Sequence, residues 1–280
     1  MREISVNKVR DVVRDLCIDS NYYIGCDIKD KLMDYKNNEQ YPIAKEILEK
    51  IIENDNIAEA ENLPMCQDTG ITCVFVEVGQ DVHFIDGDLE DAINEGVRRG
   101  YKEGYLRKSV VSDPIERVNT KDNTPAVIYY KIVKGDKVKI TVAPKGAGSE
   151  NMSRIAMLKP SDGLEGVKEF ILKTVEEAGP NPCPPMVVGV GIGGTFDKAA
   201  FLAKKALTRS LNEPNKNKFY GQLEEELLQK INKLGIGPQG FGGLTTALGV
   251  NIEVYPTHIA TLPVAVNINC HATRHKQKVI

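Results

Sequence analysis

Three cysteines have the most chemically suggestive neighbours in this chain. Cys66 lies in Met-Cys-Gln-Asp-Thr-Gly, Cys183 in Pro-Asn-Pro-Cys-Pro-Pro and Cys270 in Asn-Ile-Asn-Cys-His-Ala-Thr-Arg-His. A single cysteine is usually a small buried hydrophobe. These three instead sit among prolines and polar side chains, surroundings that suit ligation better than packing. Proline on both sides of Cys183 removes backbone donors and stiffens the loop, so a sulfur can be held outward without a helix or strand to place it. The chemistry suggested is that of an iron-sulfur enzyme. Three thiolates cannot complete the usual four ligands of a 4Fe-4S cluster, so one iron would stay open to substrate and act as a Lewis acid.

Other side chains would serve the same chemistry. Asp68 follows Cys66 by two residues and is the main acid/base candidate, because a nearby iron charge and partial burial can tune a carboxyl group. The plainer alternative is that Asp68 caps a turn with Thr69 and Gly70. Arg107 can grip a carboxylate through two parallel hydrogen bonds, which lysine cannot reproduce; otherwise it is a solvated arginine after a charged helix. The glycines of Lys145-Gly-Ala-Gly-Ser-Glu allow close backbone approach to an anion, with Gly148 the favoured position. His258 lies in a strand-like run where a lone histidine is commonly structural, while His271 and Arg274 are candidates to orient the Cys270 loop.

These residues need elements to place them. Ile4, Val6, Val9, Val12, Val13 and Leu16 recur at helical spacing, as do Ile43, Ile47, Leu48, Ile51 and Ile52. Ile71 to Val78 reads as a buried strand fed by the Cys66 loop. Asp88 caps a helix reaching about Gly104, with Glu90 and Asp91 favourable to its dipole, and Arg107 follows in a loop. The runs 126–133 and 137–142 flank Lys134-Gly-Asp136 and predict an antiparallel hairpin. A helix over 161–179 stops at Gly179-Pro180 before Cys183, then a strand at 186–192 leads into a helix from about Asp197 and a further one from about Phe219 to Leu234. Cys17 and Cys73 fit the core. With no repeat, low-complexity tract or long linker, residues 1–280 read as a single α+β domain: helices packed around a largely antiparallel or mixed sheet, with the candidate ligands on loops.

The three cysteines are far apart in sequence, and no short ferredoxin or zinc-ribbon spacing is present. Their combination with Tyr105-Leu-Arg-Lys-Ser109, Lys145-Gly-Ala-Gly-Ser-Glu-Asn151, Gly193-Gly-Thr-Phe-Asp197 and Tyr255-Pro-Thr-His258, in this order, is more specific. It resembles the α-type catalytic part of class I iron-sulfur hydro-lyases, the family of class I fumarate hydratase and L-tartrate dehydratase, over nearly the whole chain. The resemblance implies that Cys66, Cys183 and Cys270 hold a 4Fe-4S cluster with one iron not ligated by protein. It also implies that Asp68 and His258 act in the active site and that Gln67, Arg107 and Gly148 bind substrate. That family has a smaller β-type part, fused or separate. Since the sequence ends soon after the third cysteine motif, a separate β subunit is expected, in an αβ or higher hetero-oligomer acting on a small dicarboxylate. Fumarate is the first expectation, L-tartrate the second and mesaconate a third.

Composition narrows the alternatives. The 36 basic and 39 acidic side chains are intermixed, giving a formal charge of -3 with no basic stripe to neutralise phosphates, so nucleic acid is not an expected partner. No run of about 18 apolar residues is present and the N-terminus alternates charged with apolar residues, so neither a membrane span nor a signal peptide is read, and the cytoplasm is the expected compartment. Six cysteines in such a chain read as thiols, ligands or packing rather than as a disulfide framework. Gly189-x-Gly191-x-x-Gly194 matches a dinucleotide fingerprint, but a Rossmann unit would continue to an acidic residue at a second strand end, whereas this chain enters the turn-like Arg209-Ser-Leu-Asn-Glu-Pro214. A non-catalytic cluster or zinc module is the remaining class, disfavoured by the polar residues beside the cysteines and the clamp-like arginine.

Overall fold

The computed structural model describes residues 1–280. In chain order the first elements are β1 (Arg2–Ser5), α1 (Val6–Tyr22), α2 (Cys26–Asn38), α3 (Pro42–Glu61), β2 (Ile71–Gly79), β3 (Val82–Ile85) and α4 (Leu89–Glu103). They are followed by β4 (Val127–Val133), β5 (Val138–Lys145), the single-turn α5 (Ala147–Glu150), β6 (Arg154–Leu158) and α6 (Gly163–Ala178). The last are β7 (Met186–Gly193), α7 (Phe196–Ala206), α8 (Lys218–Asn232), β8 (Ala247–Tyr255), β9 (Leu262–Asn269) and β10 (Lys276–Val279). The class is α+β with mixed sheets, as the patterning predicts. The residues group into two compact units of discontinuous chain: Met1–Ile24, Asp55–Ala147 and Arg274–Ile280 in the first, Gly25–Asn54 and Gly148–Thr273 in the second. No linker or shift in composition marks this division.

In the first unit the helical spacing of Val9, Val12, Val13 and Leu16 becomes the buried face of α1, which packs against α4. Ser5 caps α1, its Oγ accepting from the Asn7 N–H at 3.3 Å, and Asp88 caps α4, accepting from the Asp91 N–H at 3.0 Å. Both helices lie on a four-stranded sheet of order β10-β5-β2-β4, whose core includes Val74, Val76, Ile93, Val97, Tyr101, Ile140 and Val142.

The predicted hairpin does not form. β4 and β5 lie on opposite sides of β2, which pairs parallel to β4 and antiparallel to β5. The cause is burial: Cys73, Val74, Phe75 and Val76 of β2 are all buried, so this strand takes an interior position, while β4 exposes Tyr130 and Ile132 and sits at the edge. The turn at 134–136 closes on the end of β2 instead, the Gly79 N–H donating to the Lys137 carbonyl at 2.8 Å and the Asp81 N–H to the Gly135 carbonyl at 3.0 Å.

The second unit is built on a sheet of order β6-β9-β7-β8, with β8 parallel to β7 and β9 antiparallel to it. Successive strand residues face opposite sides. Val188 and Val190 of β7, with Val264, Val266 and Ile268 of β9, join Val167, Ile171 and Val175 of α6 and Leu223, Leu227 and Ile231 of α8 in one core. On the other face α7 packs through Ala199 and Ala203. Here the apparent dinucleotide fingerprint is explained. A Cβ on Gly189 would lie 2.3 Å from the Ala203 carbonyl oxygen, and one on Gly191 2.1 Å from that of Ala199. These glycines let α7 approach the strand, and nothing about them requires a phosphate. As expected from the sequence, Cys17 and Cys73 are core residues.

Candidate functional site

The Cys66 loop runs from α3 into β2 in the first unit, and buried polar side chains hold its backbone. The Tyr101 hydroxyl, fully buried on α4, donates to the Thr69 carbonyl at 2.6 Å and to the Gly70 carbonyl at 3.1 Å. Asn123 Nδ2 donates to the Gly70 carbonyl at 3.2 Å, and Arg274 Nη2 donates to the Asp68 carbonyl. Three successive carbonyls are thus satisfied from below, leaving Gln67 exposed and Cys66 and Asp68 partly exposed above. Gly70 is needed where it stands: its φ is +72°, and a Cβ there would lie 2.6 Å from the Lys145 backbone.

Both carboxylate oxygens of Asp68 accept backbone hydrogen bonds. Oδ1 takes the Gly70 N–H at 3.0 Å, which is the turn cap considered from the sequence, and Oδ2 takes the Ala147 N–H at 2.8 Å. Each oxygen of a carboxylate has two acceptor sites, so this anchoring fixes the group and leaves capacity on each oxygen.

The Arg107 segment is tied to the same loop. Thr69 Oγ1 donates to the Arg107 carbonyl at 3.1 Å, and the Asn123 side chain, which reaches Gly70 with its Nδ2, accepts the Ser109 N–H on its Oδ1 at 2.7 Å. Tyr105, at the head of the segment, has φ of +50°, an uncommon conformation for a residue with a Cβ. The Arg107 side chain itself is exposed. Neighbouring Asp122 accepts from the Thr124 hydroxyl at 2.8 Å, the Thr124 N–H at 3.0 Å and Arg98 Nε at 2.9 Å. Burial raises the Asp122 pKa, but these bonds outweigh it and bring the carboxyl down to about 2. For Tyr101 burial dominates and pushes the phenol up, so it stays a neutral donor.

Sequence reasoning did not single out Tyr101 or Asn123. Tyr101 continues the apolar spacing of Ile93 and Val97 and so reads as core, while Asn123 reads as an ordinary turn residue in Lys-Asp-Asn-Thr-Pro. A phenol on a buried face, which must find an acceptor, was the available signal.

The second unit carries Cys183, Cys270, Gly148 and His258. Cys183 is exposed and has φ of +52°. Its N–H donates to the Pro180 carbonyl at 3.0 Å and its carbonyl accepts the His271 N–H at 3.2 Å, which joins the Cys183 loop to the segment just after Cys270. Gln239 braces the same loop, giving both its N–H, at 2.8 Å, and its Nε2, at 2.9 Å, to the Pro184 carbonyl. The strand carrying Cys270 is pinned to the glycine-rich motif: Asn267 Nδ2 donates to Glu150 Oε2 and Ser153 Oγ, both at 2.7 Å. Gly148 is exposed, and a Cβ there would come no nearer than 3.7 Å to the Asn181 carbonyl. Of the two groups expected to orient the Cys270 loop, His271 reaches Cys183 through its backbone, while the Arg274 side chain goes to the Cys66 loop.

β8 ends at Tyr255, so His258 lies in an exposed turn rather than in a strand. Its Nδ1 accepts the Ala260 N–H at 3.2 Å, which puts the proton of the neutral ring on Nε2 and makes that nitrogen a donor. Thr257 Oγ1 donates to the Gly194 carbonyl at 2.9 Å, joining the His258 turn to the Gly193–Asp197 turn around a groove of about 520 Å³. Lys198 covers the Tyr255 ring at 5.0 Å along this groove.

None of the six cysteines is in a disulfide, and no three His, Cys, Asp or Glu side chains converge as around a single metal ion. Cys66 belongs to the first unit, and Cys183 and Cys270 to the second. No helix is long and apolar enough to cross a membrane.

Comparison with known proteins adds a second line of argument. Residues 10–279 match the family described as Fumarate hydratase (Fumerase). The chain is 45% identical over 279 residues to a Methanocaldococcus jannaschii protein named "Putative L(+)-tartrate dehydratase subunit alpha", covering 98% of each. It is 34% identical over 277 residues to proteins of Escherichia coli (strain K12) and Shigella sonnei named L(+)-tartrate dehydratase subunit alpha, covering 98% of this chain and 91% of each relative.

Proposed function

Because the chain belongs to the fumarate hydratase family, whose members are hydro-lyases, we propose that it is the α subunit of an enzyme that reversibly hydrates fumarate to L-malate. In this reading Cys66, Cys183 and Cys270 hold a 4Fe-4S cluster with one iron not ligated by protein, and a β subunit completes the active site. The observation that carries it is the Cys66–Gly70 loop, where a partly exposed cysteine precedes an exposed glutamine and a carboxylate fixed on both oxygens, over a floor of buried donors.

The donor set fits the cluster. Cys17 and Cys73 are buried in regular structure, whereas the three candidates lie on loops with partly or fully exposed side chains. Cys183 also occupies a left-handed conformation that costs a residue with a Cβ about 1–2 kcal/mol, and strain of this kind gathers at functional sites. Ligands of a cubane bind separate irons and need not converge on one point as ligands of a single ion do. When bound, the cluster supplies a Lewis-acidic iron that polarises a carboxylate and lowers the pKa of water.

The remaining work falls to the chain's own side chains. Arg107 binds a substrate carboxylate through its fork of N–H donors, and its exposure leaves it available to do so. Gln67 and the Gly148 N–H bind substrate oxygens. Asp68, held still by two backbone bonds, moves the proton at the carbon next to the developing hydroxyl, using the acceptor capacity left on its oxygens. His258 donates from Nε2 to a substrate oxygen. Pre-set groups of this kind lower the barrier because they are not reorganised during reaction.

A second reading, dehydration of L-tartrate, is favoured by the names of the 45% and 34% identical relatives. The hydroxylated partners of the two reactions, L-malate and L-tartrate, differ by one hydroxyl, and a few polar contacts suffice for such discrimination. The test is anaerobic reconstitution with iron and sulfide, then turnover of fumarate and of L-tartrate with and without the β subunit. Fumarate kcat/KM above that for tartrate, only when both cluster and β subunit are present, is the expected result. The reverse preference moves the assignment to tartrate, and full activity after removal of all iron eliminates the mechanism.

A further inference from the structure

Arg274 is placed at high cost. The residue is 5% exposed, and its Nη2 donates to the Asp68 carbonyl. Its Nε and Nη1 are sealed from water and have no hydrogen-bond partner. All three nitrogens are thereby accounted for, and none meets a carboxylate. A buried lysine can shed its proton to escape such a position; a guanidinium cannot. A buried cation without a counter-ion is strongly destabilising, because the desolvation penalty is not repaid. An arrangement this costly implies negative charge that arrives later.

We infer that Arg274 is a positioning and charge-compensating residue: a permanent buried cation that fixes the backbone beside Cys66 and offsets the negative charge the site gains when its thiolates carry an iron-sulfur cluster. This rests on the cluster assignment above and extends it to a residue that is not a ligand. The charge is resident rather than exchanging, since sealed nitrogens cannot meet a solute that comes and goes with turnover. Compensation therefore acts through space, where a low-dielectric interior carries a fixed charge further than water does. Tyr101, which holds the next two carbonyls, lies within the field of both Arg274 and Asp68, in keeping with a cation set under this loop.

The experiment compares Arg274→Met, which keeps bulk and removes charge, with Arg274→Lys, which loses the fork and holds its proton once the cluster's negative charge is beside it. Urea unfolding is followed on the metal-free chain. Iron loss to a chelator and cluster reduction potential are followed on the reconstituted complex with its β subunit. Metal-free Arg274→Met should unfold at a urea concentration no lower than wild type, because it no longer buries an uncompensated cation. Once loaded, it should lose iron several-fold faster and show a more negative potential, while Arg274→Lys keeps a potential near wild type. An Arg274→Met chain that is destabilised equally with and without the cluster, at an unmoved potential, overturns the inference, as does one that cannot fold metal-free. A wild-type chain that takes up no iron and sulfide overturns the cluster assignment and this inference with it, so the two failures are told apart.

Discussion

The loops of Cys66 and Cys183 are held in opposite ways. Beneath Cys66, side chains remote in sequence do the work: Arg274, Tyr101 and Asn123 donate to the carbonyls of Asp68, Thr69 and Gly70. Around Cys183 the bonds run mainly between backbone groups: Cys183 to Pro180, His271 to Cys183 and Gln239 to Pro184, on a chain stiffened by proline. The first loop is exposed to single side-chain changes far from it. The second is held by proline and mostly by backbone bonds, which a change of side chain does not remove. If both cysteines bind one cluster, the two loops should fail alike in cluster assembly and differently in stability.

The largest effect is the shared one. Cys66→Ser and Cys183→Ser are each expected to lower cluster-dependent turnover by about a thousandfold, the equivalent of several kcal/mol of Lewis-acid stabilisation. Iron and sulfide content should fall with it. Since Cys183 is exposed, Cys183→Ser should leave metal-free stability within about 0.5 kcal/mol of wild type. A normal, active cluster in Cys183→Ser removes that residue from the ligand set.

Gly70→Ala breaks the first loop from within. A left-handed φ of +72° and a Cβ 2.6 Å from the Lys145 backbone combine strain with overlap that no rotamer relieves. A loss of about 3–5 kcal/mol in chemical denaturation is expected, in the range reserved for severe, named defects. A loss below about 1 kcal/mol would show that the loop is not fixed as described.

Tyr101→Phe tests the floor without touching the loop. Removing the hydroxyl takes away the donor to the Thr69 carbonyl and leaves the Gly70 carbonyl with Asn123 Nδ2 alone, with an expected cost of about 1–3 kcal/mol. Because the loop carries Asp68, kcat should fall more than KM rises. A drop in stability with unchanged kcat would make Tyr101 a packing residue only.

Much of this organisation was visible in the sequence, for reasons that differ between the two loops. The Cys183 loop announces itself because prolines act locally, and the cap at Asp88 concerns residues within one helical turn. The floor under Cys66 depends on residues that meet only after folding. Tyr101 continues the apolar spacing of its helix, so the pattern alone reads it as core and gives no sign of the acceptors its hydroxyl meets. The hairpin expected between 126 and 142 failed because turn chemistry fixes only the local chain, whereas the burial demanded by β2 decides which strand stands between the others. Gly189 and Gly191 carried a true signal of close approach, with α7 in place of a phosphate.

Asp122 gives the comparison a pH axis, since it precedes the Asn123 that holds Gly70. Hydrogen bonds from Thr124 and Arg98 overcome the effect of burial and keep its folded pKa near 2, below the unfolded value. Its contribution is therefore complete above the unfolded pKa and vanishes as pH falls through about 2. Asp122→Asn should cost up to about 1 kcal/mol at neutral pH, because water screens a carboxyl this close to the surface, with the gap to wild type closing below pH ~2. Urea melts at both pH values test this, and a gap that stays constant with pH would assign the effect to shape rather than charge.

The smallest stability effect is expected at Gly148, and it sharpens the contrast with Gly70. A Cβ at Gly148 would come no closer than 3.7 Å to the Asn181 carbonyl, an ordinary contact, and the residue is exposed. Gly148→Ala should therefore shift unfolding by no more than about 0.5–1 kcal/mol, the propensity and surface range. If the Gly148 backbone meets a substrate carboxylate, the added methyl group stands where substrate must approach. KM for the dicarboxylate should then rise while the melting curve and cluster content stay near wild type. Unchanged KM would remove Gly148 from the binding set, because its glycine would then be required neither by the fold nor by the ligand.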